Sequence, residues 1–214
     1  VVSLGTGNEP IWGANLSESS IGDYVTKTVV GQPIGSFYGY VTDGIFQSME
    51  EVRNSAQYDP TKIDADQTTH PGDFRFKDID HDNRITANDR TFLGSPLPDF
   101  VFGVPMSVGY KNIDLSLFFQ GQTGNKIFNV TDYYLYNAAN GNVYADLMEK
   151  NWSGQLSEGR AWLPKNTDAT VPDLRSGDAA RNFRASDFFV KDGSYVRLKE
   201  LRLTYTFPQR ILSK

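Results

Sequence analysis

The run "DFVFGVPMSVGYKNIDLSLFFQGQTG", residues 99–124, decides the fold. Phe100, Phe102, Val104, Met106, Val108 and Tyr110 recur at every second position, with Val101, Gly103, Pro105, Ser107 and Gly109 between them. A period of two is that of a β-strand, here with large apolar side chains on one face and mostly small ones on the other. Beyond Lys111 and Asn112 the alternation resumes, Ile113, Leu115, Leu117 and Phe119 against Asp114, Ser116, Phe118 and Gln120. A two-residue turn sets Tyr110 opposite Ile113 and merges the two apolar sets on one side of the sheet. The spacing predicts a hairpin with strands of about ten residues, the length that crosses a bilayer at the usual tilt. Two architectures share this alternation: a sandwich hairpin with one face buried under a second sheet, and a pair of barrel strands facing lipid.

A third run, "SYVRLKELRLTYTFP", residues 194–208, is less regular. Val196 and Leu198 lie on one face, and Leu201, Leu203, Tyr205 and Phe207 on the other. A β-bulge near Lys199 and Glu200 would restore one continuous apolar face. Pro208, which cannot donate to a ladder, closes the strand.

The rest of the 214 residues agrees with strands joined by turns: aromatic residues are 13% and glycines number 19. Hydrophobic residues at 39% and charged residues at 22% describe a folded chain, and a formal net charge of -5 gives nucleic acid no electrostatic attraction. The absence of cysteine excludes thiolate metal sites, cysteine nucleophiles and disulfides. No run of about 18 apolar residues marks a transmembrane helix, which says nothing of a β-barrel. A start at "VVSLGTGNEP", without initiator Met or leader, and a stop just after a strand-like run read as an excerpt of a longer polypeptide.

Two short helices are expected. "SMEEVRNSAQ" carries a capping box, with Ser48 as N-cap and Glu51 three residues on. "NVYADLMEKNW" offers Asn142 as N-cap, with Val143 and Leu147 four apart. Between Gly124 and Lys191 the chain reads as one long, mostly irregular excursion, a kind of loop that is usually functional. Tyr133, Tyr134, Tyr136, Trp152 and Trp162 lie in it as candidate substrate contacts. Such rings stack on sugars or peptide side chains, or form a satellite core that keeps the loop folded.

Chemistry concentrates in "FKDIDHDNRITANDRTFLG", residues 76–94. With Asp78 as position 1, Asp80 falls at 3, Asp82 at 5, Arg84 at 7, Thr86 at 9 and Asp89 at 12, the spacing of an EF-hand-type calcium loop. A hard cation needs several oxygen ligands, so alternate side chains turn inward, position 7 offers its carbonyl and position 12 closes the shell. Asn83 replaces the usual glycine at position 6, and Asn is the next best residue for a left-handed backbone. Position 12 is Asp, one methylene shorter than Glu. The expectation is a structural Ca²⁺ held by Asp78, Asp80, Asp82, Arg84 and Asp89; the alternative is a solvated acidic turn whose aspartates cap main-chain amides.

No enzyme constellation emerges. His70 and His81 are the two histidines, His81 falls at an outward position of the acidic loop, and no nucleophile motif or Gly-rich phosphate loop accompanies them. A carboxylate pair for glycoside hydrolysis is not something sequence can measure.

In order along the chain stand "VGQPIGSFYGYVTDGIFQ", "PGDFRFKDIDHDNRITANDRTFLGSPLPDFVFG", "YKNIDLSLFFQGQTGNKIFN" and "DGSYVRLKELRLTYTFP". This series resembles the C-terminal part of SusC/RagA-type TonB-dependent outer-membrane transporters of Bacteroidetes. The resemblance runs from Val30 to Phe207, with Thr204 where the family often has Gly. It implies an all-β chain, a fragment of a large transmembrane antiparallel β-barrel of about 22 strands with long extracellular loops and short loop helices. It also implies import of oligosaccharides or peptides, energised by TonB through an N-terminal region outside this sequence and shared with a SusD-like surface lipoprotein. Residues 58–98 then form an extracellular loop bearing the calcium motif. Residues 99–122 form a transmembrane hairpin against outer-membrane lipid, 123–192 a second extracellular loop and 193–208 a transmembrane strand. The rival is a secreted, calcium-stabilised β-sandwich that binds carbohydrate, and a glycosidase is a third and weaker reading. Phe102, Met106, Leu115 and Leu117 separate the first two, facing lipid in one and a second sheet in the other.

Overall fold

The computed structural model describes residues 9–15, 24–136, 141–153, 166, 168–173 and 180–208. Along these run strands β1 (Ile11–Asn15), β2 (Tyr24–Thr28), β3 (Ser36–Gly39), β4 (Thr42–Ile45), β5 (Phe74–Phe76) and β6 (Thr91–Gly94), then β7 (Phe100–Tyr110), β8 (Ile113–Thr123), β9 (Lys126–Phe128), β10 (Val190–Asp192) and β11 (Tyr195–Tyr205). Three short helices, α1 (Met49–Arg53), α2 (Val130–Tyr136) and α3 (Leu147–Lys150), interrupt them. The chain divides into two units: residues 1–94 with 128–191, and residues 95–127 with 192–214.

The second unit is built on the predicted hairpin. β7 and β8 pair antiparallel from Phe100↔Thr123 to Tyr110↔Ile113, in the register expected, and Lys111 takes the positive φ of 54° that the tight turn needs. β11 joins the other edge of β8, giving the order β11-β8-β7. Its ladder shifts register between Leu198 and Glu200, so Leu198 faces Phe119 while Leu201 faces Leu117. The bulge puts both halves of the strand back in phase, as the sequence demands. Gly121 fits where a Cβ would run into the Phe102 ring and the Tyr195 carbonyl, and the small residue lets the ring lie across the ladder. Val108 is 67% exposed and Leu203 68%, and Met106, Tyr110, Val196 and Leu201 are exposed with them. Leu115, Leu117, Phe119 and Phe102 are partly covered, by their neighbours in the sheet. No second sheet among the described residues buries this face, which is a departure from the sandwich alternative.

The first unit has its own cores. β1-β2-β3-β6 make a four-stranded sheet and β4-β5 a two-stranded one. Val25, Tyr133, Phe183, Ala185 and Phe189 form one buried cluster; Tyr40, Ile45, Phe74 and Phe76 form a second, flanked by Ile85, Trp152 and Phe188. α1 begins at Ser48, whose hydroxyl accepts from the Glu51 N–H at 3.2 Å, but the Glu51 carboxylate reaches the N–H of Gln47, not that of Ser48. The helix expected from Asn142 starts four residues late: Asp146 is the N-cap of α3, and 141–144 remain irregular. α2, which the sequence did not announce, is set by the Asn129 side chain accepting from the Asp132 N–H and by Tyr133 entering the first core.

Phe189 has no solvent exposure and meets the rings of Phe128, Tyr133, Phe183 and Phe188. Phe189→Ala should cost roughly 3–5 kcal/mol of local stability. In the full receptor the check is hydrogen exchange, with protection at Tyr133 and Asn129 falling while β7 and β8 keep theirs.

Candidate functional site

The acidic loop folds as its spacing requires. The Asn83 N–H donates to Asp78 Oδ2 at 2.8 Å, the Asp82 N–H to Asp80 Oδ1 at 3.3 Å and the Arg84 N–H to Asp82 Oδ1 at 2.8 Å. Each aspartate thus turns the chain two to five residues on. Asn83 has φ 62°, the left-handed conformation anticipated for position 6, and His81 at position 4 has φ 60°. One carboxylate oxygen from each of Asp78, Asp80 and Asp82 lies within 4.8 Å of the others. Ligands about 2.4 Å from a shared calcium would span no more than about 4.8 Å.

Asp89 stands outside that cluster and is fully buried. Its Oδ1 accepts from the Ile79 N–H at 2.8 Å and its Oδ2 from the Thr86 N–H at 2.6 Å, while Thr86 returns the contact as N-cap of the short 3-10 turn 87–89. Burial pushes this carboxyl up, but the main-chain N–H groups of Thr86, Ile79 and Asp80 outweigh it and hold it below the ordinary carboxylate range. Asp78 Oδ1 is buried and has no hydrogen-bond partner. An orphaned carboxylate oxygen beside two more acids, all hard oxygen donors, fits Ca²⁺ better than a softer metal. Arg84 at position 7 is exposed, leaving its main-chain carbonyl as its contribution to the shell.

The aromatic candidates separate by burial. Tyr133 is 2% exposed and belongs to the first core. Tyr136 is partly covered between Tyr144 and Phe188. Trp152 packs on the second core and donates from Nε1 to Gln47 Oε1 at 2.9 Å. Tyr134 exposes a ring face, and Trp162 lies outside the described residues. A polar chain that the sequence reading missed ties the loop: the Tyr144 hydroxyl donates to Asp132 Oδ1 at 2.8 Å, and Lys191 Nζ lies 3.6 Å from Asp132 Oδ2. The hydrogen bond to Asp132, aided by burial, pushes the Tyr144 hydroxyl up to about 12. These residues are too far apart in sequence for any local pattern to link them.

Asp89→Asn replaces an acceptor oxygen with an amide that cannot accept, leaving one buried N–H unpaired at a cost of about 1–3 kcal/mol. Because the folded carboxyl is depressed, the native contribution is present above the unfolded value and is lost as pH falls through the lower folded one. Acid titration of loop proteolysis should show that loss in the native protein and a smaller change in Asp89→Asn.

No family model matches the chain. Among curated proteins it is similar to three receptors of Formosa agariphila. TonB-dependent receptor P3 is 37% identical over 184 residues, 86% of this chain and 16% of that protein. TonB-dependent receptor P26 is 30% identical over 190 residues, 88% and 17%. TonB-dependent receptor P39 is 26% identical, 86% and 20%. The chain thus spans about a sixth to a fifth of the length of these relatives, which are named as receptors and not as enzymes. Among solved structures, it superposes on the RagAB peptide importer in the open-open state with a TM-score of 0.62 at 18% identity, covering 99% of this chain and 19% of the other. A second structure, of the RagAB peptide transporter, gives 0.55 at 20% identity, covering 89% and 18%. The chain has the fold of part of these RagAB structures, and the resemblance seen in the ordered motifs holds in both sequence and fold.

Proposed function

We propose that this chain, a stretch of a SusC/RagA-type TonB-dependent receptor, supplies barrel strands and surface loops to an outer-membrane importer of oligosaccharides or peptides that works with a SusD-like lipoprotein. One observation carries the reading: three strands of 11 residues each are paired so that their large apolar side chains share one open face. In water such a face is an aggregation hazard; in hydrocarbon it is the outer wall of a barrel. The opposite face bears Ser107, Ser116, Gln120 and Asp114, with Arg202 2.9 Å from Glu200, as a water-filled lumen requires. TonB would act through a region outside this chain.

Met106→Arg or Leu117→Arg, near the middle of the lipid face, should destabilise the full receptor by about 2–4 kcal/mol, while Ser116→Arg in the lumen costs far less. Urea unfolding in lipid vesicles measures both. Recovery of the receptor as a water-soluble protein, or equal tolerance of arginine on the two faces, would remove the membrane reading. Growth of a strain lacking the receptor, on oligosaccharides and on peptides separately, then decides the cargo.

The acidic loop is proposed to hold a structural Ca²⁺ through Asp78, Asp80 and Asp82 and the Arg84 carbonyl, with Asp89 bracing the loop from behind. The support is the three gathered carboxylates and the orphaned Asp78 oxygen. Bound calcium would offset the mutual repulsion of these acids and keep the loop in one shape. Chelation should open the Arg84–Ile85 bond to trypsin in the full receptor, and added calcium should close it again. Asp78→Asn should abolish that calcium protection; cleavage indifferent to calcium in the native protein would rule the site out.

A further inference from the structure

The acidic loop and the segment around Trp152 are far apart in sequence, yet both rest on the second core of the first unit. Ile85, position 8 of the loop, and Trp152 each pack, partly covered, against the cluster of Tyr40, Ile45, Phe74 and Phe76.

The loop's own carboxylates set where Ile85 stands. The N–H before it, of Arg84, donates to Asp82 Oδ1 at 2.8 Å, and the N–H after it, of Thr86, donates to Asp89 Oδ2 at 2.6 Å. The peptide groups on either side of Ile85 therefore hang on two aspartates. Asp82 also belongs to the gathered set of Asp78, Asp80 and Asp82. A cation among those oxygens would fix the carboxylate from which the Ile85 segment is suspended.

Trp152 is tied down on several sides. Its indole N–H donates to Gln47 Oε1 at 2.9 Å, and Gln47 Nε2 donates in turn at 3.0 Å to the carbonyl of Ile45, a member of the core. Its main-chain N–H donates to the Val171 carbonyl at 2.8 Å, while the N–H groups of Thr170 and Val171 both donate to the Lys150 carbonyl at 3.2 Å. Gly72, with φ 95°, leaves room for the indole where a Cβ would run into it, and its carbonyl accepts from the Asp173 N–H at 2.8 Å. Leu147 and Val171 are buried beside these bonds. Trp152 thus fastens residues 147–153 and 168–173 to the core on which Ile85 also sits.

We propose that this arrangement is a coupling device: calcium in the acidic loop orders residues 147–153 and 168–173, with Ile85 passing the state of the loop through the second core to Trp152. A close-packed core shifts between discrete arrangements and does not deform by degrees, so it can carry a change at one edge to the other. Coupling is reciprocal, and order at Trp152 would in turn strengthen calcium binding. The device rests on the calcium reading of the loop and does not require transport. Two stretches distant in sequence would then take one shape together, and only where calcium is present.

The test is hydrogen exchange, read by mass spectrometry, on the full-length receptor in detergent, first chelated and then titrated with calcium chloride. Calcium should slow exchange about fivefold or more in the loop, at Asn83, Arg84 and Thr86, and also at Trp152 and Val171. Ile85→Ala should keep the slowing in the loop and lose it at Trp152 and Val171. Ile85→Val, which retains most of the packing, should keep it at both, and the Phe74 and Phe76 amides report whether the core still stands in each variant. Trp152→Ala should raise the calcium concentration that half protects the loop about fivefold or more, a shift that a tryptophan with a merely structural role would not produce. Calcium protection of the loop with no change at Trp152 overturns the coupling and leaves the calcium site standing. Slowing at Trp152 that survives Ile85→Ala overturns the route through Ile85, and no response to calcium anywhere removes the site and the coupling together.

Discussion

Everything in the second unit depends on the hydrogen-bond ladder that locks β7, β8 and β11 in one register. A slip of one residue would exchange the face of Met106, Leu117 and Leu201 with that of Ser107, Ser116 and Arg202. The bulge at Leu198–Glu200 is part of that lock, since without it half of β11 would present the wrong face. The ladder also sets a demand. β7 and β11 each have a single neighbour among the described residues, and an unpaired strand edge has no place in hydrocarbon. A membrane role therefore calls for further strands on both sides, which fits a chain that covers about a sixth to a fifth of its relatives.

The first unit obeys a different constraint. Long surface connections expose polar backbone and lose ordering entropy, so they persist in one shape only when they bury something of their own. Here the burial is aromatic: Phe183, Phe189 and Tyr133 in one cluster, Phe74, Phe76 and Tyr40 in the other. Polar ties over long sequence distances hold the two halves of the unit together. Asn182 accepts from the Phe74 N–H at 2.8 Å and donates to Asp73 at 2.9 Å, and Asp187 accepts from both the N–H and the hydroxyl of Thr42. Tyr133, a candidate substrate contact by sequence, is material of this packing.

What was legible in the sequence was local. The alternation of residues 100–123, the phase break at Lys199, the Ser48 cap and the left-handed Asn83 each announce themselves within a few positions, because strand period, bulge, capping and turn chemistry are short-range rules. α2 was not legible, since Val130, Thr131 and three tyrosines are weak helix formers and only tertiary contacts decide for them. Asn142 and Asp146 are equally good capping residues by type, and the choice fell to the packing of Leu147, which is fully buried. The pairing of β3 with β6, Tyr38 opposite Phe92, crosses more than fifty residues and leaves no periodic trace. The recess lined by Tyr58, Arg84 and Arg184 was hidden for the same reason, since these residues meet only in the folded unit.

The acidic loop shows how one motif divides its carboxylates between architecture and chemistry. Asp89 spends both oxygens on main-chain N–H groups and is held ionised by them, so it shapes the loop whatever else is bound. Asp78 uses one oxygen the same way and leaves the other buried without a partner, and Asp80 and Asp82 lie beside it in solvent. The same backbone then carries Arg84 outward to an exposed position. Within twelve residues the chain turns four aspartates inward or along its own amides and leaves one arginine, Arg84, exposed.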